Sequence, residues 1–169
     1  AAVTRACGAE VVERPPELAS DMASSESALR HVVEVLADRE GYRPDLIVFL
    51  QCTSPVRNPD DTDRAIEHLL AAAAESCFSG CRSHALIWRQ GSGGMESINY
   101  DYHHRLREQD RPHEWIENGS IFVFKPWLLL ERNNRLGGKI VVYEMDPWRS
   151  FQIDSPEEME LCEWILFRS

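Results

Sequence analysis

Apolar residues fall at helical spacing in several separate stretches. Between Ser25 and Asp38, the residues Leu29, Val32, Val33 and Leu36 sit at i, i+3, i+4 and i+7, one face of a helix. Gly41 and Pro44 end that pattern. The next stretch, Leu46 to Leu50, is continuously apolar and bounded by turn residues, which predicts a strand buried on both faces. Asn58-Pro59-Asp60-Asp61 reads as a helix start, with a cap residue, Pro at the first position and acids in the first turn. Ile66, Leu69, Leu70 and Ala73 would form the buried stripe of that helix. Strands are predicted at 9–12, 76–82, 85–88, 120–124 and 139–145, and short helices at 127–132 and from Ser155 to about Phe167. Ser155-Pro156-Glu157-Glu158 is a capping box with Pro at the first helical position. Residues 90–114 are polar and irregular, with Gly91-Ser92-Gly93-Gly94 as a hairpin tip or loop.

Strands and helices therefore alternate, which predicts an α/β fold with a three-layer, mostly parallel sheet in a single domain covering 1–169. Open sheets of this kind bind ligands beyond the carboxyl ends of their strands. The loops 13–24, 51–57 and 152–155 should gather there. The chain opens Ala1-Ala2-Val3-Thr4-Arg5-Ala6-Cys7-Gly8 without Met, and reads as the end of a helix closed by glycine.

Charge narrows the function. The net charge is −10, which argues against nucleic acid or an anionic membrane as partner. No apolar run approaches the ~20 residues of a spanning helix, and the opening residues lack a secretory pattern. The five cysteines are odd in number and scattered, so they read as reduced thiols of a cytoplasmic protein.

Three segments carry candidate chemistry. Gln51-Cys52-Thr53-Ser54-Pro55-Val56-Arg57 offers an amide, two hydroxyls and a guanidinium directly after a buried strand. Such a set suits a polyhydroxylated, anionic ligand. It equally fits a loop whose hydroxyls bond their own backbone. Arg14 and Asp21 flank a stiff Pro-containing loop, and Ser24-Ser25 at the next helix start could donate to phosphate or simply cap the helix. In Ser150 to Ser155 the residues alternate as a terminal strand, placing Ser150, Gln152 and Asp154 on one face. Asp154 could hold Mg²⁺ or cap the following helix. His103, His104 and His113 have no partner pattern, and Asn118-Gly119 reads as a turn.

Taken together, these segments resemble the CMP-N-acylneuraminate (CMP-sialic acid) synthetases. The family pattern RPxxLAxDxASS stands here as Arg14 to Ser25, and LLQPTSPLR as Phe49 to Arg57. RQDxP followed by NGxIY matches Arg107–Pro112 and Asn118–Phe122, and the closing IDxxxD-type segment matches Ile153–Glu158. The resemblance implies a Rossmann-like nucleotide-diphospho-sugar transferase fold, lacking its first β-α unit. It also implies transfer of CMP from CTP to the anomeric hydroxyl of a sialic-acid-like sugar acid, with Mg²⁺ as cofactor. On motif matching, Arg14, Asp21, Ser24 and Ser25 belong to CTP. Gln51, Thr53, Ser54, Arg57 and Phe122 belong to the sugar, and Asp154 to the metal; no general base is singled out. A related acid of legionaminic, pseudaminic or Kdo type, or a non-catalytic binding remnant, are the alternatives. The region 87–115 is expected to contribute to a homodimer.

Three departures accompany the resemblance. The family's N-terminal glycine- and lysine-bearing loop is absent, which predicts no turnover by these 169 residues alone. Gln152 stands where some members have a second metal-binding Asp, and Glu108 where members often have Arg.

Overall fold

A computed structural model describes residues 1–20 and 23–168. A short helix α1 (Ala2–Ala6) opens the chain, and Gly8 at φ +81° follows it. Helix α2 (Ser25–Glu40) begins where Ser24 Oγ accepts the backbone N–H of Ser27 at 3.1 Å. It ends at Gly41, which takes the left-handed conformation that frees the chain to turn into the sheet. Strand β1 (Ile47–Leu50), helix α3 (Asp61–Ala71) and strand β2 (Ser76–Ser83) come next. A separate hairpin is made by β3 (Trp88–Gly91) and β4 (Gly94–Ser97). Strand β5 (Glu114–Phe124), helix α4 (Pro126–Arg132), strand β6 (Ile140–Glu144) and helix α5 (Pro156–Arg168) complete the chain.

The main sheet has the order β1-β5-β2-β6. β5 runs antiparallel to both β1 and β2, and β2 runs parallel to β6. β1, β2 and β6 therefore share one direction, and β5 is inserted between two of them in the opposite sense. The expected parallel set is present in direction, but β5 makes the pairing mixed.

Side-chain alternation along β5 explains the three layers. Ile121 and Val123 join Ala65 and Leu69 of α3, with Cys77 and Met145, in one core. Phe122 and Phe124 face the other way, into a core with Leu128 and Leu129 of α4 and Leu29 and Val33 of α2. A third cluster packs Cys162 and Ile165 of α5 against Val56 and Ile153. It holds the last helix over the loop that leaves β1.

Several boundaries differ from the pattern. Residues 9–12 form no strand; this stretch is tied to the last turn of α2 by an Arg39–Glu10 ion pair at 3.1 Å. Residues 150–155 are not a strand either, although Ile153 N–H donates to the Thr53 carbonyl at 2.7 Å. α3 starts at Asp61 rather than beside Pro59, because the Asp61 carboxylate itself accepts the Asn58 N–H at 2.6 Å. Its buried stripe is Asp61, Ala65 and Leu69, while Leu70 is exposed. β5 is twice as long as its apolar half, because its first half is a polar segment recruited by β2. The strand expected at 85–88 begins instead at Trp88.

Candidate functional site

The carboxyl end of β1 and the middle of β2 meet the middle of β5, the chain leaving β6 bonds back to Gly80 through Met145 N–H, and a buried polar hub forms there. Asn118 is 1% exposed. Its Oδ1 accepts from Ser79 Oγ at 2.5 Å and from Ser120 N–H at 3.2 Å. Its Nδ2 donates to Ser150 Oγ at 3.0 Å and meets Met145 Sδ at 3.5 Å. Ser79 Oγ in turn accepts Ile121 N–H at 2.7 Å. These bonds replace ladder bonds where the β2–β5 register shifts between Phe78 and Gly80. The irregularity turns the next residue, Gly119, to φ +65°. A Cβ there would collide with Gln51 Oε1 and lie 3.3 Å from Gln152 Oε1. Only a bare backbone lets the two carboxamides converge on this point of the rim.

The loop after β1 is braced onto this hub. Arg57 Nε donates to Ser120 Oγ at 2.8 Å and Nη2 to the Gln51 carbonyl at 2.8 Å. Burial holds the Arg57 guanidinium below its ordinary pKa, with the Asp61 charge opposing. Ser54 is buried, and its hydroxyl donates to the Asn118 carbonyl at 3.2 Å. Thr53 gives its carbonyl to Ile153. Arg57 and Ser54 thus act here as bracing groups, and Gln51 is the loop's amide at the rim. The structure brings Gln51, Thr53, Ser54 and Arg57 together with Gln152 and Ile153, which joins two of the three loops expected on one rim.

The nucleotide-side candidates sit before and at the start of α2. Arg14 is exposed in the connection before α2, and Ser24 caps α2 with Ser25 as its first residue. Asp21 lies outside the described residues. Phe122 is 1% exposed and stacks on Phe49 with ring centres 5.9 Å apart. In this arrangement its ring is a core side chain of the α2–α4 layer. Above the pair sits Arg135, its guanidinium carbon 4.7 Å from the Phe122 ring centre and 5.4 Å from that of Phe49. Arg135 Nε bonds Glu26 Oε1 in the first turn of α2 at 3.0 Å. The two side chains are 23% and 15% exposed. Arg135 Nη1 is buried with no hydrogen-bond partner among the described residues.

Asp154 is exposed at the head of α5. Its backbone N–H donates to Glu158 Oε2 at 2.8 Å, and Glu158 N–H donates to Ser155 Oγ at 3.2 Å, which makes the capping box real. The cap is supplied by Ser155 and Glu158, leaving the Asp154 carboxylate outside that role. Among the described residues, no group of three or more His, Cys, Asp or Glu could hold a metal ion. Mg²⁺ commonly takes one or two protein carboxylates and completes its shell with water and phosphate. Asp154 fits it in that sense, with Gln152 contributing at most a neutral oxygen.

Asn118, Ser79 and Arg135 were not legible as site groups from spacing. Asn118-Gly119 has the composition of a turn, Ser79 sits in an ordinary strand, and Arg135 stands in a short polar connection. A cleft of about 420 Å³ lies elsewhere, lined by Arg82, His84, Glu108, Arg111 and His113. Glu108 pairs there with His84 at 3.2 Å.

No protein-family model matches the chain. Curated proteins do. The chain is 33% identical over 172 residues to N-acylneuraminate cytidylyltransferase A of Danio rerio, covering 99% of this chain and 39% of that protein. It is 31% identical to N-acylneuraminate cytidylyltransferase of Oncorhynchus mykiss, covering 98% and 38%. The protein of the same name from Escherichia coli O18:K1:H7 is 27% identical, covering 95% and 38%. With the layers described above, these likenesses define the class of fold: an α/β fold of the nucleotidyltransferase type. Along nearly its whole length the chain is similar to proteins named N-acylneuraminate cytidylyltransferase, the family its motifs resemble. It spans about two fifths of the length of the curated relatives it matches.

Proposed function

We propose that the protein transfers CMP from CTP to the anomeric hydroxyl of a sialic-acid-like sugar acid. The observation that carries this reading is the likeness along 99% of the chain to a protein named for that chemistry. The rim built around Gly119 supports it. In the reaction the anomeric oxygen attacks the α-phosphorus of CTP and the α–β anhydride bond breaks. Pyrophosphate leaves and the hydroxyl proton is lost. The enzyme's task is positioning and neutralisation of charge on the phosphates.

Gln51 and Gln152 converge at the point where a polyhydroxylated ring would lie, and each amide can both donate and accept. Thr53 stands beside them with its backbone fixed by Ile153. Ser54 and Arg57 keep the loop rigid, so the amides meet the sugar without first being ordered. Arg14, Ser24, Ser25 and Asp21 are assigned to CTP, the serines through the amino end of α2. Asp154 would hold Mg²⁺, which when bound neutralises phosphate charge.

The hairpin region 87–115 is assigned to a homodimer contact. Ile87, Met95, Ile98, Tyr102 and Leu106 are all exposed there, and Trp88 packs against Tyr100 and Tyr102 at 5.9 and 5.4 Å. Apolar surface of that extent favours a partner. A cytoplasmic setting fits the five unpaired cysteines, and none of the described helices is long and apolar enough to cross a membrane.

The test is pyrophosphate release by the full-length native protein with CTP, Mg²⁺ and a panel of sugar acids. Release with N-acetylneuraminate is expected. Release only with a legionaminic, pseudaminic or Kdo-type acid would move the substrate assignment, and none with any acid would overturn the reading.

A further inference from the structure

A cleft of about 340 Å³ lies between the turn Pro147–Arg149 that follows β6 and the last turns of α5. Asp146, Trp148, Arg149, Trp164, Ile165 and Arg168 line it. None of them is among the residues assigned above to CTP, sugar or metal. The volume falls within the ~300–1,000 Å³ of small-molecule sites.

The charge in this cleft runs against that of the chain. The protein carries 28 acidic residues against 18 basic ones, yet two arginines and one carboxylate line the cleft. The carboxylate is already engaged, because Asp146 Oδ1 accepts the Trp148 N–H at 2.8 Å as the cap of the turn. Among the described residues, neither the Arg149 nor the Arg168 guanidinium has a hydrogen-bond acceptor or an ion-pair partner. Arg168 is held over the Trp164 ring instead, one helical turn back, with its guanidinium carbon 4.5 Å from the ring centre. That contact fixes the position of the fork and supplies no lone pair to its donors. The rest of the lining is aromatic and open. Trp148 is 60% exposed and Trp164 48%, and Trp148 packs on Phe151 with ring centres 6.0 Å apart.

A ligand that matches this lining needs two parts. A flat ring can lie against the indoles, and a group with several anionic oxygens can meet the two forks. A free phosphate would leave the rings bare, and a neutral aromatic would leave the forks unmatched. A saturated sugar acid has no flat face to stack. We infer that this cleft is a binding site for a nucleoside monophosphate, with the base against the tryptophans and the phosphate received by Arg149 and Arg168. Stacking on an aromatic side chain tolerates any base, so the site takes AMP as readily as CMP. The inference stands apart from the cytidylyltransferase reading and does not depend on it.

The experiment is calorimetric titration of the full-length protein with AMP, with adenosine and with inorganic phosphate. Wild type, the double variant Arg149→Gln/Arg168→Gln, Trp148→Ala and Trp148→Phe are compared, with folding checked by circular dichroism. Wild type is expected to bind AMP at least about tenfold more tightly than adenosine or phosphate. The double variant should lose about tenfold or more in affinity for AMP and nothing for adenosine. Trp148→Ala should also weaken AMP binding, while Trp148→Phe, which keeps a flat ring, should retain most of it. Arg168 is exposed, so Arg168→Gln alone, with a partial loss expected, covers the case in which the double variant fails to fold. Absence of AMP binding to wild type would overturn the inference. So would AMP binding unchanged in the arginine variants, which would put the nucleotide elsewhere on the protein. Phosphate bound as tightly as AMP would show an anion site without a place for the base, and would overturn it too.

Discussion

Asn118 ties its own strand β5 to β2 through Ser79 and to the stretch after β6 through Ser150 and Met145, and accepts the Ser120 N–H locally. Replacing it by Ala leaves buried donors and acceptors without partners, each at a cost of about 1–3 kcal/mol. Asn118→Ala is expected to lower stability by about 2–3 kcal/mol in urea denaturation. Asn118→Asp should lose less only below the carboxyl pKa, since a buried charge is costlier than a missing bond. Gly119 is a different kind of residue, needed for its backbone. Gly119→Ala forces a side chain into the left-handed region at about 1–2 kcal/mol and displaces Gln51. The expected outcome is weaker binding of N-acetylneuraminate with CTP binding retained, measured by calorimetry on each ligand. Equal loss for both ligands would show general unfolding instead.

Helix α2 connects the cap at Ser24 to the cation on Arg135 through Glu26. Ser24→Ala should lower stability by about 1 kcal/mol, the usual worth of a cap, and this would be read as a fall in Tm. Loss of CTP affinity beyond that effect would mark a ligand role for the hydroxyl. At this scale much of the fold could be read from the pattern. Leu29 and Val33 do face the core from α2, and the run at 46–50 does contain a strand, but β1 lies at the sheet edge with Ile47 buried and Leu50 exposed rather than buried on both faces. Residues 9–12 and 150–155 misled because alternation signals a strand only where a neighbour exists to pair with. The first half of β5 was invisible for the converse reason, since Glu114–Gly119 is polar and its strand state comes from β2. The loop 51–57 was legible because it follows the end of β1, whereas 13–24 and 152–155 leave no strand. The Asn118 hub and Arg135 were not, because both depend on contacts across long sequence separations.

Across the molecule, a buried thiol and a half-buried phenol tie stability to alkaline pH. Burial raises the Cys77 thiol from 9.0 to about 11. Burial and the bond to Asp61 raise the Tyr143 phenol from 10.0 to about 12. Both groups are neutral in the fold, so their contribution is complete below the unfolded pKa and is lost as pH rises through the folded one. Stability should thus hold to about pH 9 and decline between there and about pH 12. Urea midpoints across that range check this, and Tyr143→Phe should flatten the upper part of the decline. The net charge of −10 adds a constraint. On the proposed reading, an acidic protein that takes CTP and a sugar acid must collect its cations locally.

Phosphorus NMR of the full-length protein incubated with CTP, Mg²⁺ and N-acetylneuraminate observes the bond change itself. The account predicts that the α-phosphorus signal of CTP is replaced by that of a phosphodiester while pyrophosphate appears in equal amount. Formation of CDP with orthophosphate, or of CMP with no phosphodiester, would contradict it.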